Sequence, residues 1–149
     1  MRTIGCMANR QIARDLRVSP ETINRHLARL GRHCLLFHWI RMQNTALPQA
    51  IVIDGFESFE FSQYHPIHHH LAVDPSTGMF LYFSDSELRR KGRMTPYQKR
   101  RRQQLEQRHG RPDPRAVEKD MGEVLAVTLA GQSQATVFSD DHRAYRRSL

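Results

Sequence analysis

Between residues 9 and 31 apolar side chains recur at helical spacing. Ile12 and Leu16 stand four apart, and Ile23, Leu27 and Leu30 follow at i, i+4 and i+7. Two short amphipathic helices fit, with a tight break between them. Ser19 can cap the second helix by accepting from orphan backbone N–H groups, Pro20 suits its first position, and Glu21 favours the positive end of its dipole. Gly31 is expected to end it. Ala13 is small enough for close helix approach and Val18 is expected to fill the gap at the turn, the logic of a helix-turn-helix. Residues 35–40 read as a short linker helix or strand. Residues 44–49, with Pro48, read as a boundary, so the expected segments are 1–43 and 44–149.

Beyond the boundary the period changes. Residues 50–53 (AIVI) are a buried-strand run that continues through Asp54 towards Phe61; 68–73 form a second strand, and DPSTG at 74–78 is turn chemistry before a third strand at 79–84. Three successive strands with tight turns predict an antiparallel meander. Residues 85–115 are basic and punctuated by proline, with Thr95-Pro96 as a helix start and Gly110 to Pro112 as a stop. Val117, Met121, Val124, Leu125 and Leu129 share one helical face, so 116–130 is an amphipathic helix closed by Gly131. Residues 135–138 (ATVF) form a last strand, followed by Ser139, Asp140 and Asp141. The expected fold class is α/β: a helix-turn-helix, then a mixed sheet.

Charge sharpens this outline. The chain carries +8 overall with a sequence pI near 10.3. Residues 1–43 hold eight Arg against Asp15 and Glu21; residues 44–88 hold six acids and no Lys or Arg; residues 89–102 hold eight basic residues and no acid. Basic flanks around an acidic middle point to a polyanionic partner, and at this pI to nucleic acid. A membrane-surface helix fits poorly, because the basic residues of 89–102 are interleaved with Gly92, Thr95 and Pro96 and have no continuous apolar face. No apolar run is long enough to span a bilayer, and Cys6 and Cys34 stand apart from any C-x-x-C pair, so a reducing, cytoplasmic setting is the expectation.

In the helix-turn-helix reading the second helix presents Glu21, Thr22, Asn24, Arg25, Ala28 and Arg29. Asn and Arg side chains can bond bidentately to adenine and guanine edges, and Arg10, Arg14, Arg17 and Arg32 can reach phosphate. Thr22, Asn24, Arg25 and Arg29 are therefore the expected contacts to double-stranded DNA. Arg89, Arg90, Lys91, Lys99, Arg100, Arg101 and Arg102 are expected to meet its backbone. The competing reading is a plain helical hairpin and a solvated charged face.

The order strand, strand, strand, helix, strand places Asp54 after four apolar residues of the first strand and Asp140 at the end of the last. This is the opening of an RNase H-like fold. Two-metal phosphoryl transfer needs a carboxylate bridging ions about 4 Å apart, and neighbouring strand ends hold carboxylates at that separation. At this point the chain resembles a DDE-type transposase of a bacterial insertion sequence, on HLARLGRH, IVIDGFESFEF, HHHLAVD and TVFSDDHRAY. The family pattern S-D-x-x-x-A-Y selects Asp140, with Asp141 its neighbour and Tyr145 as the matching tyrosine. The resemblance implies that Asp54 and Asp140 are catalytic, metal-binding carboxylates for Mg2+ or Mn2+, that the partners are transposon ends and target DNA, and that the full-length protein is a homo-oligomer in the bacterial cytoplasm. It also implies a third carboxylate, a helical Glu, beyond Leu149, and in some members a zinc ribbon upstream near Cys6; on this reading the chain is a truncated transposase.

Three other readings stand beside it. His65, His68, His69 and His70 form a cluster in which His68 and His70 share a strand face. Without a third ligand these read as surface or DNA-facing residues rather than a zinc site. Glu118, at the border of the 116–130 helix face, gives a nuclease trio with Asp54 and Asp140. The helix-turn-helix by itself gives a non-catalytic DNA-binding regulator.

Overall fold

The computed structural model describes residues 7–140 and 142–149, and the chain divides into two compact units between residues 46 and 47. Each unit is built on its own core.

In the first unit α1 (Asn9–Leu16) starts where Gln11 Oε1 accepts the Ala8 N–H at 3.0 Å. It ends at Arg17, which turns left-handed (φ 52°) and lets the Val18 N–H reach back to the Ala13 carbonyl. Ser19 Oγ then accepts from the Thr22 N–H at 3.1 Å, and α2 begins at Pro20, as the cap residues require. The core is small: Ile12, Ala13 and Ile23, with Met7 and Leu27 packed against it. Val18 does not fill the gap between helices, because 40% of it is exposed. The larger departure is at Gly31. The second helix passes straight through it and runs from Pro20 to Gln43, absorbing the expected linker. A glycine inside a helix costs only about 1 kcal/mol, and Arg32, Leu35, Leu36 and Arg41 beyond it are good helix formers with no proline before Pro48.

The second unit holds β1 (Ala50–Phe59), β2 (Pro66–Val73), β3 (Phe80–Glu87), α3 (Pro96–His109), α4 (Ala116–Thr128), β4 (Thr136–Phe138) and α5 (Arg143–Ser148). The four strands make one mixed sheet in the order β3-β2-β1-β4: β1, β2 and β3 are antiparallel neighbours, and β4 lies parallel to β1 with Ile51 opposite Val137. Parallel pairing needs a long crossover, and here it carries α3 and α4. Helix α4 lies against β2 and β3, and α5 packs on α4. Alternation along the strands turns Ile51, Ile53, Ala72 and Leu81 into a core with Met121, Val124, Leu125 and Tyr145.

Boundaries differ from expectation for local reasons. β1 stops at Phe59, two residues short, as the chain turns through a left-handed Phe61 (φ 58°); β2 starts at Pro66; β3 runs on to Glu87; and α4 stops at Thr128. Helix α5 has no counterpart in the sequence pattern, since its six residues contain one large apolar side chain, Tyr145. Among the described residues the architecture is thus mixed α/β with a four-stranded mixed sheet and five helices, and no helix is long and apolar enough to cross a membrane.

Candidate functional site

Asp54 follows Ile53 on β1 and, by strand alternation, faces away from the core; its carboxylate is exposed and accepts the Gly55 N–H at 2.7 Å. Asp140 stands two residues beyond the last residue of β4, exposed, with Oδ1 accepting from the His142 N–H at 3.3 Å. Because β4 runs parallel beside β1 with Val52 opposite Phe138, continuing that register by two residues brings Asp140, just past the end of β4, level with Asp54 in the middle of β1. Both act on one group: burial, then Asp140 and Asp54, push the Tyr145 phenol up to about 12. Among the described residues neither acid has an ion pair with a cationic side chain. Asp141 lies outside the described residues, as does Cys6.

Behind these acids is a buried polar cluster. Tyr145 Oη and His68 Nε2 are 3.0 Å apart and joined by a hydrogen bond, and the His68 and His142 rings stand 5.9 Å apart. His70 lies beside His68, with ring centroids 4.6 Å apart. Ser86 Oγ donates to Asp120 Oδ2 at 2.6 Å, so it accepts from His70 Nε2 at 2.7 Å, which fixes a neutral His70 whose Nδ1 is buried without a partner among the described residues. Burial, reinforced by His68, lowers His70 to about 4; burial also lowers His68. These two histidines are therefore not the surface or DNA-facing residues expected. The sheet face they share is covered by α4 and α5, whose partner groups lie far along the chain. His69, on the opposite face, bonds Ser58 at 2.6 Å and Asp85 at 2.5 Å. No group of three His, Cys, Asp or Glu side chains among the described residues is arranged to hold a metal ion.

Glu118 sits in the first turn of α4, where Arg115 binds it with two N–H groups and holds its carboxyl below the usual range; Arg147 and Asp113 are its other charged neighbours. Nothing connects it to Asp54 or Asp140.

The basic run 89–102 divides into two sets. Lys91, Lys99, Arg100 and Arg101 are exposed. Arg89, Arg90 and Arg102 are instead partly engaged in anchoring α3. Arg89 makes a bidentate pair with Glu106 (Nε–Oε1 2.8 Å, Nη2–Oε2 3.0 Å), and Arg102 Nε lies 3.3 Å from the same carboxylate, near enough for ion pairing though not aligned as a hydrogen bond. Arg102 Nη1 also donates to the Arg90 carbonyl, and the Arg90 guanidinium stacks 4.8 Å above the Tyr64 ring. Sequence reasoning misses Tyr64 and Glu106. Glu106 is the one acid in a 22-residue stretch from 89 to 110, which is the available signal.

In the first unit Arg25 and Arg29 are exposed on α2. Asn24 is also exposed, but its Oδ1 accepts from Asn9 Nδ2 at 2.8 Å, and Thr22 Oγ1 lies 2.9 Å from Ser19 Oγ. Two of the four expected base-reading side chains thus begin with a partner inside the protein. No family model, curated protein or solved structure matches the chain.

Proposed function

We propose that the chain is a DDE-type transposase of a bacterial insertion sequence or a part of one, with a helix-turn-helix in the first unit that binds duplex DNA at element ends and a second unit that carries two carboxylates of an RNase H-like site. The observation that carries the reading is the placement of Asp54 on β1 and Asp140 just after β4, its parallel neighbour in a β3-β2-β1-β4 sheet, both exposed and, among the described residues, without an ion pair to a cationic side chain. Exposed carboxylate oxygens suit a hard divalent cation, Mg2+ or Mn2+. Such an ion, when bound, supplies the charge stabilisation of DNA strand cleavage and joining. The protein's own part is to hold the two carboxylates side by side where β4 ends against the middle of β1, and the Tyr145–His68 bond ties the segment after Asp140 to β2. Assembly into a homo-oligomer on transposon ends is part of the same proposal.

Two carboxylates make an incomplete two-metal site, so a non-catalytic DNA-binding regulator is the second reading. Calorimetric titration with Mn2+ tests the carboxylate pair. One weak site is expected, lost in Asp54→Asn and in Asp140→Asn and kept in Glu118→Gln. Binding that is indifferent to both Asp changes would end the proposal; loss in Glu118→Gln would move it to the nuclease trio. Cleavage of end-sequence DNA is expected to be absent from this chain under the same conditions.

A further inference from the structure

The connector between β3 and α3, helix α3 itself and the loop before α4 enclose a cleft of about 370 Å3. Its charged lining is Arg89, Arg90, Lys91, Arg102, Arg111 and a single acid, Asp113. Asp113 is occupied, because it accepts the Arg115 N–H and pairs with Lys119. Arg89 and Arg102 share the single carboxylate of Glu106. Three cations, Arg90, Lys91 and Arg111, make no ion pair among the described residues, although Arg111 is close enough to Glu106 to help lower its carboxyl. One of them is held in place: Arg90 lies over the Tyr64 ring, and its Nη1 is buried with no hydrogen-bond acceptor among the described residues. That Nη1 is shielded from the open cleft, so what the cleft offers an anion is the remainder of a guanidinium held over a ring, with Lys91 and Arg111 on the same lining.

We propose that this cleft binds a phosphate group, taken either as free inorganic phosphate or as one phosphodiester of a nucleic-acid strand. A phosphate offers several acceptor oxygens around one centre, which suits a cleft lined by cations from two chain segments, Arg90 and Lys91 before α3 and Arg111 after it. The phosphodiester form rests on the DNA-binding reading above and gives it a seated contact in place of a diffuse charged surface; the inorganic phosphate form does not depend on it.

The test uses the full chain and three variants: Arg90→Gln and Arg111→Gln in the cleft, and Arg108→Gln, exposed on α3 outside the lining. Inorganic phosphate is titrated by 31P NMR and calorimetry, and a labelled duplex oligonucleotide by anisotropy at fixed salt. The expected result is saturable phosphate binding, weakened about tenfold in each cleft variant and unchanged in Arg108→Gln. Weak phosphate binding, with duplex affinity about tenfold lower in both cleft variants, supports the same cleft with phosphodiester as the source. Arg111 is exposed and outside the Tyr64 stack, so its variant reports on the cleft even if Arg90→Gln disturbs folding. Equal affinities of both probes for wild type, Arg111→Gln and Arg108→Gln would overturn the proposal while leaving the carboxylate site standing. Failure of duplex binding altogether would remove the DNA reading and leave the phosphate titration to decide.

Discussion

A Cβ added at Gly55 would fall on His68 Nε2 and Tyr145 Oη and lie 2.8 Å from the His69 carbonyl. The glycine next to Asp54 is therefore what allows α5 and β2 to close against β1. Gly55→Ala should cost about 3 kcal/mol, read as a lower urea midpoint at unchanged slope, because a backbone atom is among those that must move. Tyr145→Phe keeps the ring but leaves His68 Nε2 buried and unmet; about 1–2 kcal/mol is expected, less than for Gly55→Ala. The reverse order would mean that the hydrogen bond and not the close approach holds the site. His70 adds a pH dependence. Its native value of about 4 lies below the ordinary 6.5, so the unfolded chain takes up a proton that the folded chain refuses, and stability falls as pH drops from about 6.5 to about 4. The slope reaches at most about 1.4 kcal/mol per pH unit and flattens below that window. Urea titrations across the window check this, and His70→Gln should be less steep. Burial of His68 and His70 could not be read in the sequence, because the groups that satisfy them, Tyr145, Ser86 and Asp120, come from other elements.

Elements that begin or end on side-chain chemistry were legible. Ser19-Pro20 opens α2, and Thr95-Pro96 opens α3 through a reciprocal pair in which Thr95 Oγ1 accepts from the Gln98 N–H (3.3 Å) and Gln98 Oε1 from the Thr95 N–H (2.9 Å). The strands β1 to β3 showed in their β-branched and aromatic runs. Illegible were the elements whose limits depend on neighbours: α5, docked through Tyr145 and through Ser148 Oγ donating to the Glu118 carbonyl at 2.8 Å, and the second half of α2. Gly31 misled because a glycine marks a helix end only when the next residues leave the helix. It has an ordinary φ, and a Cβ there meets open space, so Gly31→Ala should stabilise α2 by about 0.5–1 kcal/mol and raise helical circular dichroism. A destabilised variant would show that the helix breaks at Gly31 in solution. Helix α3 stands differently: it buries no residue and is tied to the preceding connector by Glu106 pairing with Arg89 and by Arg102 donating to the Arg90 carbonyl. Glu106→Gln should speed amide exchange across Pro96–His109 while Ala116–Thr128 keeps its protection.

At the scale of the whole chain the charge blocks fall on separate bodies. The Arg-rich first unit has its own small core, and the exposed cations Lys91, Lys99, Arg100 and Arg101 belong to the second unit. On the proposed function each body brings a polyanion-binding surface, and their contributions to DNA affinity are separable by what each surface is able to read. Arg25 and Arg29 stand exposed on α2, where a base edge can meet them, whereas the α3 cations have no fixed geometry and can only neutralise phosphate. Arg102 is left out of the second set because removing it would also loosen α3 from the Arg90 carbonyl and break its pair with Glu106 within the helix. On the proposed function, Arg25→Ala should reduce the preference for element-end DNA over unrelated duplex by about 1–3 kcal/mol with little change in salt dependence. The triple change Lys99→Ala, Arg100→Ala and Arg101→Ala should weaken binding to both duplexes alike. It should also make the slope of log affinity against log salt shallower by up to about 0.9 for each phosphate that is no longer neutralised. Anisotropy titrations over a range of salt concentrations separate the two effects. If the triple variant lowers affinity for one duplex only, α3 reads sequence; if its salt slope equals that of wild type, these cations are a solvated face and the DNA contacts of the second unit lie elsewhere.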